Sequence, residues 1–104
     1  MVYKIIIHKK AVDDIKNASD YYNSKAVHLG IKFTITIKEY INTLKTNPNF
    51  KIRYKNVRVL PIKKFSYAIH FSVDNNKNLV EIHGIIHTSR DPKIWDENNK
   101  NSKG

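Results

Sequence analysis

Apolar positions along this chain change their spacing several times, and each change marks an element. Val2–Ile7 is a short apolar run rich in β-branched residues, which predicts a strand. Its apolar positions are consecutive, the pattern of a strand covered on both faces. From Lys10 the spacing lengthens. Ala11, Ile15, Ala18 and Tyr22 lie four, three and four apart and form one face of a helix. Asp13 and Asp14 fall in its expected first turn, where negative charge complements the helix dipole. Asn23, Ser24 and Lys25 end it, and Gly30 marks a turn. The next stretch carries two periods at once. Ile31, Phe33, Ile35 and Ile37 alternate as in a strand, whereas Phe33, Ile37, Ile41 and Leu44, with Tyr40 beside them, keep helical spacing. The helical pattern spans more residues, so a second helix is predicted, stopped by Asn47 and Pro48.

Beyond Pro48 the pattern is that of strands. Lys51–Ile62 reads as one strand with a break near Lys55 and Asn56, and Lys63 and Lys64 form a turn. Phe65 to Val73 alternates, with Phe65, Tyr67, Ile69, Phe71 and Val73 on one face and Ser66, Ala68, His70 and Ser72 on the other. Asp74 to Asn78 is a polar hairpin turn. A last strand begins at Leu79. Strict alternation puts Val80, Ile82, Gly84 and Ile86 on an apolar face. Leu79, Glu81, His83, Ile85 and His87 then share the more open one, with the His83 and His87 Cα atoms ~13 Å apart. Consecutive strands with short links pair antiparallel. The order strand, helix, helix, strand, strand, strand predicts an α+β fold: an antiparallel twisted sheet with an N-terminal helical hairpin packed on one face. One domain over residues 1–97 and a polar tail over 98–104 are expected.

Composition narrows the setting. Of 104 residues, 40% are hydrophobic, enough for one modest core rather than a disordered chain. No run approaches the length of a membrane span, and Ile5–Ile7 is too short for a secretory leader, so a cytoplasmic protein without a membrane role is expected. The chain has no cysteine, which excludes disulfides and thiolate metal sites.

Charge changes the picture more. The formal net charge is +10. No acidic residue lies between Tyr40 and Val73, where Lys45, Lys51, Arg53, Lys55, Arg58, Lys63 and Lys64 all fall. Such a field suits a polyanion or an acidic protein; the plain alternative is a solvated basic surface. His70, His83 and His87 have structural readings beside functional ones. A metal pair is not predicted, because no other ligand set accompanies them. Arg58 has an ion pair with Glu81 or Asp91 as its structural reading. Arg90, Asp91 and Pro92 suit a turn whose Asp91 caps a short helix through Trp95, which would pack on the sheet edge.

Several of these pieces together resemble a known family. They are Asp20-Tyr21-Tyr22, Leu29-Gly30 with Phe33, Asn47-Pro48, Val57-Arg58-Val59-Leu60, Phe65-Ser66-Tyr67-Ala68-Ile69, and His87-Thr88-Ser89-Arg90-Asp91-Pro92 with Trp95. In this order they look like the RelE/ParE superfamily of toxins from type II toxin–antitoxin systems, nearest the plasmid-stabilisation, ParE-like branch. The resemblance implies a bacterial toxin held by a cognate, acidic antitoxin encoded nearby, with DNA gyrase as the ParE-like target. It implies no cofactor. The RelE-like alternative is a metal-independent endoribonuclease that cuts mRNA on the ribosome. That chemistry needs a base, an acid and cations on the phosphate. His87 or His83 would supply the proton transfer, and Arg58, Lys51, Arg53 and Arg90 the clamp. The sequence departs from the RelE-like pattern at Ala68, where an arginine is usual, and at Leu60, which falls near one member of a lysine pair. Lys51, Arg53, Lys55, Arg58, Lys63, Lys64 and Arg90 are the candidate target-binding residues under either reading. A decayed member that keeps only antitoxin binding is the third reading.

Overall fold

The computed structural model describes residues 2–89. The elements run in the order β1 (Lys4–Ile7), α1 (Lys9–Lys25), α2 (Leu29–Thr43), β2 (Ile52–Tyr54), β3 (Val57–Ile62), β4 (Tyr67–Asp74) and β5 (Leu79–His87). They build a five-stranded sheet in the order β1-β5-β4-β3-β2. The expected break at Lys55 and Asn56 is the tight turn between β2 and β3, where Lys55 takes a positive φ of 48°. The polar turn after β4 closes on Asp74, whose Oδ1 accepts from the Asn76 and Lys77 amides at 3.0 and 3.1 Å.

The helical reading of the ambiguous stretch holds. Phe33, Ile37 and Leu44 are fully buried and Ile41 nearly so. They pack with Ala11 and Ala18 of α1 against Ile62, Ile69, Phe71, Val80, Ile82 and Ile85 of the sheet. Full burial contributes about 1.5–3 kcal/mol for each Phe, Leu or Ile, so this layer carries most of the fold's stability. Tyr22, Phe33, Phe65 and Tyr67 form an aromatic group where the hairpin meets the sheet, with ring centroids 5.0–6.1 Å apart.

Four sequence expectations are corrected. First, β1 is an edge strand that runs parallel to β5, so the sheet is mixed rather than wholly antiparallel. Its Ile6 and Ile7 stay 40% exposed. The two helices carry the chain from β1 to β2 at the far edge, and the β2–β5 meander then brings β5 back beside β1 in the same direction, which a tight hairpin from β1 could not do. Second, α1 begins at Lys9, so Asp13 and Asp14 stand in its second turn. The Asp14 carboxylate accepts the Ile85 amide at 3.0 Å and the Lys10 ammonium at 2.8 Å. It bonds to β5 beyond the point where β1 leaves the ladder. Third, Gly30 is not a turn residue. It sits buried in the first turn of α2, and a Cβ there would lie 2.2 Å from the Ser19 carbonyl of α1. The turn residue is His28, with φ 67°.

The fourth correction concerns β5. His70 pairs with Gly84 while Phe71 pairs with Ile82, so His83 is an extra residue, a β-bulge. One extra residue inverts the alternation beyond it. Ile85 therefore enters the core, where Ile86 was expected. His83 and His87 end on opposite faces of the sheet.

Candidate functional site

The basic residues of the middle third stand at the β2 edge, in the β3–β4 turn and, in Lys45, just past the end of α2. Lys51 precedes β2, Arg53 lies on it and Lys55 is in the turn to β3; all three are exposed. Lys63 and Lys64 occupy the exposed β3–β4 turn. Arg58 does not join them. Its Nη1 donates to the Phe50 carbonyl at 3.0 Å and to Asn49 Oδ1 at 3.3 Å, which ties the loop before β2 to β3. The predicted ion pair with Glu81 does not form, because Arg58 pairs with Phe71 on the helix-covered face, two strands from Glu81, which pairs with Ser72 on the opposite face. The alternative partner Asp91, with Arg90, Pro92 and Trp95, lies outside the described residues. Leu60 packs against the main core, and Ala68 is buried beside Val59 and Tyr54.

The histidines separate into three groups. His87 stands edge-on to Tyr67 at 5.0 Å, beside the aromatic group. Its Nδ1 accepts from the Ser89 amide at 3.1 Å and lies 2.6 Å from Ser89 Oγ. With Nδ1 accepting, the neutral ring carries its proton on Nε2 and presents a donor there. His70 is buried, with Nδ1 2.8 Å from the Tyr54 hydroxyl. His83 faces away from the helices. Its Nε2 is 2.7 Å from Ser72 Oγ, and its ring stacks on His8 with centroids 5.0 Å apart and planes 15° from parallel. His8 in turn meets Glu81, Nε2 to Oε1 at 2.9 Å. Burial holds the His83 imidazole below its ordinary pKa. His8 adds to the depression and Glu81 opposes it. Among the described residues no group of three metal-ligating side chains is assembled.

One concave surface was not foreseen. A groove of about 530 Å³ runs between β1 and the C-terminal half of α2. Tyr3, Ile5, Ile7 and Ile41 give it apolar walls, and Lys4, Lys38 and Lys45 line it too. Ile31 and Ile35, each more than half exposed, continue the outer side of α2. The sequence held a signal for this surface. Ile31 and Ile35 gave the α2 stretch its strand-like alternation because they lie off the buried helical face. The unbroken apolar run of β1 likewise exceeds what one buried face can use.

The fold is shared with solved toxin structures. The family model described as "ParE toxin of type II toxin-antitoxin system, parDE" matches residues 5–92, and the chain belongs to that family. A chromosomal ParDE toxin–antitoxin system from P. aeruginosa gives a TM-score of 0.71 at 18% identity, over 83% of this chain and 96% of that one. The E. coli toxin RelE, as a double arginine-to-alanine mutant in the free state, gives 0.62 at 10% identity over 97% and 98%. The archaeal RelE–RelB complex from Pyrococcus horikoshii OT3 gives 0.55 at 16% identity over 86% and 99%. At these identities the structural likeness is one of fold. A search of curated proteins finds no significant match. Among the described residues no helix is long and apolar enough to cross a membrane.

Proposed function

We propose that this chain is the toxin of a two-protein, ParDE-like module in the cytoplasm, that it acts on DNA gyrase by binding, and that a cognate acidic antitoxin holds it inactive. Family membership supports the module. The placement of Arg58 is the observation that carries the binding mode. Its guanidinium holds the Asn49–Phe50 loop instead of reaching toward a substrate phosphate. Ala68, buried in an apolar cluster, points the same way, and so does His87, whose Nδ1 is occupied by Ser89. A phosphate-cleaving site needs cations and a proton acceptor aimed at one point.

The exposed cations Lys51, Arg53, Lys55, Lys63 and Lys64 are the proposed target-binding residues, with Arg90 as a further candidate in sequence. The groove between β1 and α2 is the proposed antitoxin site. Its apolar walls suit the apolar side of a partner segment, and Lys4, Lys38 and Lys45 suit acidic residues on that segment. A supercoiling assay with purified gyrase tests the target; no inhibition at a large molar excess of folded toxin removes it. Primer extension on translated mRNA tests the ribonuclease reading. Cleavage that is lost in both His87→Ala and Arg58→Ala, with folding intact, would replace the binding mode with that chemistry.

A further inference from the structure

We propose that His8, His83 and Glu81 form a latch that fastens the end of β1 to β5 while it holds at most one proton, and that a second proton releases β1. The consequence for the antitoxin rests on the reading of the groove given above, because β1 is one wall of that groove.

β1 has only four residues, and its ladder to β5 ends where the His8 amide donates to the Ile82 carbonyl at 3.0 Å. His8 is also the residue at which the chain turns into α1. Its side chain therefore sits at the joint between the edge strand and the helix. That side chain reaches over β5 in two ways: Nε2 meets Glu81, and the ring lies flat on His83. His83 continues the connection to β4 through Ser72. Alternation from Glu81 puts the His83 ring on the Glu81 and Ser72 side, and the bulge leaves it without a cross-strand ladder partner of its own.

The charge balance of this stack has a limit. One proton gives an imidazolium beside one carboxylate, a neutral pair next to a neutral ring. Two protons give two stacked imidazolium rings with centroids 5.0 Å apart and one carboxylate between them and neutrality. Among the described residues, the groups around the stack supply no ready second anion. From α1, the Asp14 carboxylate packs near Gly84 but is held by Lys10 and the Ile85 amide, and Asp13 is paired with Lys9. From β4, the same face brings Ser72 and His70, and His70 is bonded to Tyr54. The second proton thus goes to a partly buried ring that already faces a cation, and separation of the rings relieves the repulsion. Separation carries His8, and β1 with it, away from β5.

The sign of the linkage follows from the depressed His83. The unfolded or opened chain binds the proton more readily than the latched one. The latch is therefore fully closed above the ordinary imidazole value, about 6.5, and is lost as the pH falls from there toward the lower folded value.

Amide hydrogen exchange and histidine NMR titration on the full chain test this. Protection factors for Lys4–Ile7 should fall about tenfold or more between pH 7.5 and 5.5, while those of β4 change little, as local opening requires. His8→Gln should raise the His83 pKa toward its ordinary value, and His83→Gln should abolish the selective loss of β1 protection. An ordinary His83 titration unaffected by His8→Gln, or protection lost equally across the sheet, overturns the latch. Antitoxin affinity measured over the same range then separates the two readings. Selective β1 opening with unchanged affinity upholds the latch and removes the groove as the antitoxin site.

Discussion

The two edges of the sheet are finished in opposite ways. At the β2 edge the strand has three residues, its register to β3 is irregular, and Lys51, Arg53 and Lys55 are exposed along it. Short length, irregular pairing and charge are the devices that keep an edge from recruiting other strands. At the β1 edge Val2, Ile6 and Ile7 are exposed by 68%, 40% and 40%, and an apolar groove opens behind them. Exposed apolar surface at an edge is costly in a free chain and marks a surface made to be covered. The comparison shows that charge does not distinguish the edges: cations stand at both, and what differs is the apolar groove behind β1. Lys51, Arg53 and Lys55 lie at the better-guarded edge, while the apolar groove, with Lys4, Lys38 and Lys45 on its walls, lies across the sheet. The basic composition announces a polyanion or an acidic protein without saying which edge meets it.

Substitutions can sharpen this contrast, beginning with the largest expected effect. Gly30→Ala places a methyl against the Ser19 carbonyl and must force α1 and α2 apart, at a cost of about 2–3 kcal/mol. Because α2 is the groove's second wall, antitoxin affinity should fall with stability, as read by chemical denaturation beside calorimetric titration. If the variant is as stable as the parent, the close crossing is not what fixes that wall. Reversing the groove charges with Lys38→Glu and Lys45→Glu should weaken the antitoxin by about ten- to a hundredfold, or ~1.4–2.7 kcal/mol. The matching pair Lys51→Glu and Arg53→Glu should leave the antitoxin alone and reduce gyrase inhibition. The opposite pattern would exchange the roles of the two edges.

Smaller effects are expected within the fold itself. Asp14→Ala leaves the Ile85 amide without its acceptor beside the end of β1, which costs about 1–2 kcal/mol. The loss should appear in denaturant midpoints and should be larger than that of Asp13→Ala, whose carboxylate serves only an exposed pair with Lys9. Single alanine substitutions at Lys51, Lys55, Lys63 or Lys64 should change stability by less than about 0.5 kcal/mol. Any of them that proves strongly destabilising belongs to the framework rather than to a binding edge.

Much of this molecule was written in local pattern. The stripe Phe33, Ile37, Ile41 and Leu44 specified α2 against the competing alternation, because burying one helical stripe satisfies all four residues at once. The alternation through β4 specified a central strand, and Asp74 specified its turn. The family-like pieces, in order, specified the class of protein. Local pattern could not place β1, since a parallel edge and a doubly covered strand share the same apolar run. Nor could it detect the bulge at His83, because a period of two carries no warning of an inserted residue. That insertion depends on how β5 registers against β4, and it decided that His83 and His87 part to opposite faces. The His8–Glu81 contact and the Asp14–Ile85 bond join residues 73 and 71 positions apart. Short-range spacing determined the elements and their buried faces; only closure of the sheet, through contacts distant along the chain, decided which side chains stand together at its edges.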